Sequence, residues 1–326
     1  MRALFTALFL LATPAFAECN GQNLIETMPG PERMALTAAA ASVPFAEGNF
    51  WLARKDGMEI ALVGTYHMND PRHQPVVDAL APRIAAAGTV LVEAGPDEEK
   101  ELMAHMARDP SLMVMTDRSL AELLPAEDWQ ALSRALSLRG IPAFMAAKMQ
   151  PWYVSMMLSI PPCDLGNLAE QKGLDGAVID LALSKGVPVL ALEPYDTVFK
   201  IFADLPEQDQ IAMIRSTLAL QDRAEDFSTT LADAYFAGQS RLIWEFMRAE
   251  TLKMPGYSPA QATAEYALME EVMMSSRNRK WIARLEGAAQ KGPVLAAFGA
   301  LHLPGQEGVA ALLQSRGWML EPLDLP

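Results

Sequence analysis

The chain has 326 residues, 51% of them apolar, and a formal net charge of −14. That length and apolar fraction suffice for a large buried core, in one large α/β domain or two smaller ones. So acidic a surface argues against nucleic acid or anionic lipid as a partner. No stretch beyond the first residues has the roughly 18 consecutive apolar residues of a membrane helix, so no integral membrane segment is expected.

In chain order, residues 1–17 read as a secretory signal. Met1-Arg2 supplies a positive charge, an apolar run follows from Ala3 to Leu11, and Ala15-Phe16-Ala17 has the small-x-small form of a cleavage site. Glu18 before Cys19 is unlike a lipoprotein signal, which wants a small residue there. Residues 18–326 are then expected as one α/β domain, periplasmic or secreted. Cys19 and Cys163 are the two cysteines of the chain. In an oxidising compartment such a distant pair is a natural disulfide, with two unpaired thiols as the alternative.

Phe50–Arg54 and Met58–Val63 flank Lys55-Asp56-Gly57, a hairpin signal. Val76, Val77, Leu80 and Ile84 repeat with a helical period over 74–87. Short apolar strands follow at 89–92, 188–192 and 294–298, with a last, edge strand at 318–323. Apolar runs without alternation suggest strands covered on both faces, as in parallel sheets. Helical pattern fills 100–159, and 174–185 up to the stop signal Gly186. It also fills 206–287, interrupted at Pro255-Gly256. The expected fold is α/β: a mostly parallel central sheet flanked by helices, with a large helical insertion, or cap, at about 206–287.

Four polar residues fall at or just past strand ends: His67, Glu93, Glu193 and His302. In open α/β sheets the site lies beyond the carboxyl ends of the strands. Gly64-Thr65-Tyr66-His67 and Gly299-Ala300-Leu301-His302 share the form Gly-x-x-His, where a glycine allows the backbone to turn off the sheet. Two imidazoles with one or two carboxylates make a catalytic set for a divalent metal, which acidifies a bound water. A remaining carboxylate serves as general base. Each residue also has a plain structural reading. A lone Gly-x-x-His fits any loop; Glu93 is placed to pair with a cation or to cap the helix after Pro96, and Glu193 to cap the helix after Pro194. His73 either caps the helix that follows or lines the pocket. His105 reads as a surface residue, and the methionine-rich segments as adaptable core. No serine-hydrolase elbow, zincin helix, Walker loop or basic aromatic patch is present.

Beside the strand-end motifs stand Leu91-Val92-Glu93, Gly173-Leu174-Asp175, Arg277-Asn278 and Leu303-Pro304-Gly305. Together with Lys148-Met149-Gln150-Pro151-Trp152, this ordered set resembles the TraB/GumN family, which includes the Tiki proteases. The resemblance runs from about Trp51 to Trp318. It implies an α/β fold related to erythromycin esterases and ChaN-like haem-binding proteins. It also implies a metal-dependent hydrolase, peptidase-like, using manganese or cobalt on a peptide or small-molecule substrate, and the two-imidazole set leaves zinc as a further candidate. His67 and His302 would then be metal ligands, Glu93 and Glu193 ligand or general base, and Arg277 a group that binds or polarises substrate. Tyr66, His73 and Asn278 are the accompanying candidates for substrate binding. The rival implication is a non-catalytic haem- or metal-binding protein, or an accessory factor for envelope polysaccharide. The sequence departs from the family at Pro194-Tyr195-Asp196, where threonine is common after the glutamate, and in its interrupted Lys-Pro-Trp region. Both departures bear on substrate choice.

Overall fold

The computed structural model describes residues 19–165, 172–254 and 258–326. The expected signal segment and the Pro255-Gly256 break lie outside the described residues. After α1 (Gly30–Ala41), strands β1 (Phe50–Lys55) and β2 (Met58–Thr65) form the expected hairpin. Its two-residue turn puts Asp56 at φ 48° and Gly57 at φ 79°. Positive φ at both central residues gives the turn whose twist matches the flanking strands.

Next come α2 (His73–Ala86) and β3 (Thr89–Val92). Between β3 and β4 (Val189–Ala191) lie α3 (Pro96–Arg108), α4 (Leu120–Leu123), α5 (Ala126–Ser137), α6 (Ala143–Ala146), α7 (Pro151–Ser159) and α8 (Leu174–Ser184). Between β4 and β5 (Val294–Gly299) lie α9 (Thr197–Ala203), α10 (Glu207–Ala219), α11 (Ala224–Phe236), α12 (Ser240–Leu252), α13 (Pro259–Glu270) and α14 (Ser276–Ala289). The helical stretch there therefore begins at Thr197, ahead of Pro206. The last elements are α15 (Val309–Ser315) and β6 (Met319–Pro322).

The described strands form one sheet in the order β4-β3-β5-β2-β1-β6. The first four run parallel, whereas β1 is antiparallel to both β2 and β6. The sheet is mixed because a two-residue connection can only join antiparallel strands. Adjacent residues of β2 face opposite layers. Ala61 and Val63 pack with Leu80, Ile84 and Val178 of α2 and α8. Ile60 and Leu62 pack with Trp281, Leu285 and Leu313 of α14 and α15. Both layers are buried, so the strand reads as an unbroken apolar run.

A separate core joins α4, α5, α7 and α10 around Leu132, Leu136, Leu158 and Ile214. Cys19 and Cys163 are joined in a disulfide with their Cα atoms 5.2 Å apart. Among the described residues, no helix is long and apolar enough to cross a membrane.

Candidate functional site

The parallel strands β4, β3, β5 and β2 are consecutive in the sheet and end at one rim. Glu193, Glu93, His302 and His67 follow these strands in that same order. Strand register sets their relative height: Thr65 lies opposite Gly299, and Val92 opposite Ala297 and Ala191.

The two motif glycines are needed for space rather than for turning. Neither Gly64 nor Gly299 has a positive φ, which corrects the expected reason for their presence. A methyl group at Gly64 would meet Leu303 Cδ1 at 2.7 Å and the Asn49 carbonyl oxygen at 2.9 Å. One at Gly299 would stand 3.2 Å from His67 Nε2 and 3.3 Å from Glu93 Oε1. Gly299 therefore lies where the side chains of the two strand ends converge, and its N–H donates to Glu93 Oε1 at 2.7 Å.

Each imidazole is oriented through its other nitrogen. His67 Nδ1–H donates to Asp175 Oδ1 at 3.1 Å. Asp175 stands in the first turn of α8, whose start is pressed onto the His67 segment. Leu174 N–H donates to the Tyr66 carbonyl at 3.0 Å, and a side chain at Gly173 would come within 2.4 Å of the Tyr66 oxygen. His302 sits on a 3-10 turn after β5. Its Nδ1–H donates to Asn278 Oδ1 at 2.6 Å, while the Asn278 amide nitrogen donates to the Glu307 carbonyl at 2.8 Å. His302, neutral with Nδ1 protonated, carries its lone pair on Nε2, and His67 does so once its Nε2 proton is lost. His302 Nε2 lies 3.9 Å from Glu93 Oε1 and accepts from Arg277 Nη1 at 3.2 Å. The Trp281 ring packs 4.4 Å from the His302 ring.

Arg277 organises the carboxylates. It comes from the first turn of α14, directly after a π-helical turn at Glu271–Ser275, a feature frequent at functional sites. Nη2 donates to Glu93 Oε2 at 2.5 Å and to Glu193 Oε1 at 2.6 Å, Nε to both Glu193 oxygens, and Nη1 to the Met273 carbonyl. Trp281 Nε1–H donates to the other Glu193 oxygen at 3.1 Å. Three N–H groups thus converge on the Glu193 carboxylate, which makes it the anchor of Arg277. Neither glutamate caps a helix: α3 starts from Gly95 and α9 from Asp196.

Burial alone would raise the Glu93 carboxyl. The His302 and His67 imidazoles, the Arg277 guanidinium and the Gly299 N–H outweigh it and hold Glu93 at about 2. Burial, together with Arg277 and His67, outweighs the attraction of Glu93 for His302 and lowers that imidazole to about 3. His302 is therefore neutral above that pH, and the permanent cation Arg277 keeps Glu93 ionised near neutrality. For Arg277 itself burial works against the charge, but Glu193 and Glu93 raise it further. For His67 burial also opposes the charge, yet the Asp175 carboxylate and Glu93 prevail and raise it to about 9. The His67 side chain is 62% exposed, so water screens part of that effect.

Tyr66 and His73 are placed away from the centre. Tyr66 stacks on Tyr235 with ring centroids 5.3 Å apart. His73, the first residue of α2, is buried, with Nε2 3.0 Å from the Met68 carbonyl oxygen and its ring 5.1 Å from Phe236. It braces the aromatic layer under the loop. Asn278 supports His302. His105, expected at the surface, is half-buried, with Nδ1 3.3 Å from the Tyr195 hydroxyl. Asp175 had no role in the sequence reading. Its signal was the Gly-Leu-Asp match, without any indication of which residue it would meet.

Whether a divalent cation suits this crevice turns on its donors. His67 Nε2, His302 Nε2 and Glu93 Oε1 border the same space, and both imidazoles have the outer hydrogen-bond acceptors that metal-ligating histidines have. A cation would take over the lone pair that His302 gives to Arg277. The three donors stand more open than a bound ion holds its ligands. Among the described residues, the one trio of His, Cys, Asp or Glu ligand atoms within 4.8 Å of one another is Cys19, Cys163 and Asp164, and its sulfurs are consumed in the disulfide. His67 would have to move inward for the three to meet one ion.

The sequence profile of the TraB/PrgY/gumN family matches residues 49–322. The chain is also 22% identical over 254 residues to YbaP of Escherichia coli (strain K12), which covers 78% of this chain and 87% of that protein. YbaP of Shigella flexneri matches to the same extent. Both relatives bear the name uncharacterized protein.

Proposed function

The chain belongs to the TraB/PrgY/gumN family, and we propose that it is a metal-dependent hydrolase, peptidase-like, of an oxidising extracytoplasmic compartment. The observation that carries this reading is the matched orientation of two imidazoles at adjacent strand ends. Each gives Nδ1–H to an acceptor, Asp175 or Asn278, and turns Nε2 toward Glu93. His67, His302 and Glu93 would hold the ion. A divalent ion such as manganese, cobalt or zinc would supply an acidified water and polarise a carbonyl or ester.

The chain's own residues have separable tasks. Asp175 and Asn278 keep both Nε2 atoms directed inward. Arg277 keeps Glu93 anionic, and Glu193 with Trp281 keeps Arg277 in place. The exposed edge of His67 is the side open to a substrate. The Cys19–Cys163 disulfide supports the extracytoplasmic part of the reading, since such bonds persist in oxidising compartments.

The test is metal content and hydrolysis, measured on wild type, His67→Ala and His302→Ala. About one manganese, cobalt or zinc per chain, lost in both variants, with cleavage of amide or ester probes that a chelator stops, is the expected result. A wild-type chain that takes up no metal on reconstitution, or hydrolysis that persists in His67→Ala, refutes the reading. Metal bound at the site without cleavage of either probe class would leave a metal-binding protein.

A further inference from the structure

The segment that carries His67 is fastened from α8, through Leu174 and Asp175, and from α11. The Tyr235 hydroxyl of α11 donates to the Gly64 carbonyl at 2.9 Å, and its ring stacks on Tyr66. Asp233 accepts from Arg72 Nη1 at 3.0 Å. Phe236 lies 4.1 Å beneath the Arg72 guanidinium. The position of His67 therefore depends on where α11 sits as well as on α8.

Helix α11 is itself held by the start of the described chain. Gln22 N–H donates to Asp226 Oδ1 at 2.7 Å, Leu24 N–H to Thr230 Oγ1 at 2.8 Å, and Asn23 Nδ2 to Asp233 Oδ2 at 3.1 Å. At Gly21 the strap lies so close that a side chain would come within 2.2 Å of the Glu225 carbonyl oxygen. The strap begins at Cys19. Its disulfide partner Cys163 precedes Asp164, which accepts from Ser228 Oγ of the same helix at 2.8 Å. Strap, disulfide, Asp164 and α11 thus form a closed ring. The strap also precedes residues 49–322, which the family profile matches.

We propose that the Cys19–Cys163 disulfide is a positioning element for His67: it clamps the strap and Asp164 onto α11, so that the crevice takes its working shape in the oxidised chain and loosens on reduction. This rests on the role proposed above for His67. Reduction takes two electrons and two protons from a dithiol, which leaves as its own disulfide, and returns Cys19 and Cys163 as thiols. The strap is then held by its hydrogen bonds to α11 and by the packing of Leu24 and Ile25 in a small cluster with Phe227 and Phe246, and such peripheral segments open locally at lower cost than the sheet. The two layers that cover the sheet do not include strap residues.

Amide hydrogen exchange on the full chain tests this without any hydrolysis assay. The oxidised chain is compared with the same chain in dithiothreitol, with Cys19→Ser/Cys163→Ser, and with Ser228→Ala at an intact disulfide. Leu174 N–H, which donates to the Tyr66 carbonyl, and His73 N–H, which donates to Asp70, report on the His67 segment. Both are expected to exchange at least about tenfold faster on reduction and in the double variant, and faster in Ser228→Ala. The slow amides of β5 report the global stability that losing any crosslink removes. Acceleration confined to β5, with Leu174 and His73 unchanged in every sample, overturns the proposal. An oxidised chain that binds no metal would sink the hydrolase reading and leave this measurement intact.

Discussion

Gly299→Ala separates the crevice from the fold. The backbone there has φ −50° and ψ 132°, which alanine adopts without strain. The new methyl group would lie 3.2 Å from His67 Nε2 and 3.3 Å from Glu93 Oε1, a few tenths of an ångström inside ordinary contact of about 3.5–4.0 Å. Glu93 is pinned by Arg277, but His67 is exposed and can yield. The stability cost should therefore stay near the low end for overpacking, about 1 kcal/mol. Function should suffer far more, because the methyl fills the space where a ligand shared by Nε2 and Oε1 must sit. A cation needs about 2.0–2.2 Å to each donor, and losing one of three ligands should weaken binding at least about 100-fold, or roughly 2.7 kcal/mol. Gly64→Ala is the control, since its methyl meets Leu303 Cδ1 at 2.7 Å and Ala300 Cα at 3.0 Å. There the backbone must move, at about 3 kcal/mol. Urea denaturation gives the stability of both variants, and calorimetric titration with manganese gives the affinity. If Gly299→Ala binds metal and hydrolyses like wild type, His67 and Glu93 do not share a ligand and the site is misassigned.

Arg277→Met should cost about 3–5 kcal/mol in urea denaturation, because it leaves the Glu93 and Glu193 carboxylates buried without their cation; a loss below about 1 kcal/mol would mean the network contributes little. Lysine at this position should fail to restore stability, since a point charge cannot reproduce contacts to two carboxylates and a carbonyl at once. Acid should destabilise the fold in two stages. His302 falls from an ordinary 6.5 to about 3 and Glu93 from 4.5 to about 2, so the unfolded chain binds more protons. Stability is then lost as pH drops from 6.5 toward 3, and again from 4.5 toward 2. His67, raised from 6.5 to about 9, has the opposite sign: its contribution is full below 6.5 and lost as pH climbs through 9. Urea midpoints measured across this range should show an acid limb that flattens in His302→Gln; an unchanged limb would contradict a buried neutral imidazole. Asp175→Asn should lower the His67 pKa, read from its imidazole proton resonances, and weaken metal binding about 10–100-fold. No shift in those resonances would show that Asp175 does not orient the ring.

Much of the rim was legible in the sequence. Apolar runs at 58–63, 89–92, 188–192 and 294–298 revealed the strands, and the polar residue after each run revealed a rim. Both follow from local rules: a strand buried on two faces must be apolar throughout, and side chains past its end are free to be polar. The Asp56-Gly57 turn was readable for the same reason, because only a few residues accept positive φ at both central positions. Local pattern also suggested caps for Glu93 and Glu193, and there it misled. Arg277 reaches Glu193 from 84 residues away and Glu93 from 184, and no local period encodes such a partner.

Tertiary structure alone decided the rest. The order β4-β3-β5-β2 places the two histidines on neighbouring strands although 235 positions separate them in sequence. It brings Asp175, 108 residues distant, onto His67, and it makes Gly299 a point of close approach rather than a turn. It also assigns Tyr66 and His73 to the packing beneath the loop. The physical reason is one of range. Periodicity and turn chemistry act over a few residues and announce themselves in sequence. Which strand neighbours which, and which buried charge meets which, is settled by layers packing onto both faces of the sheet and by the requirement that each buried charge be paired.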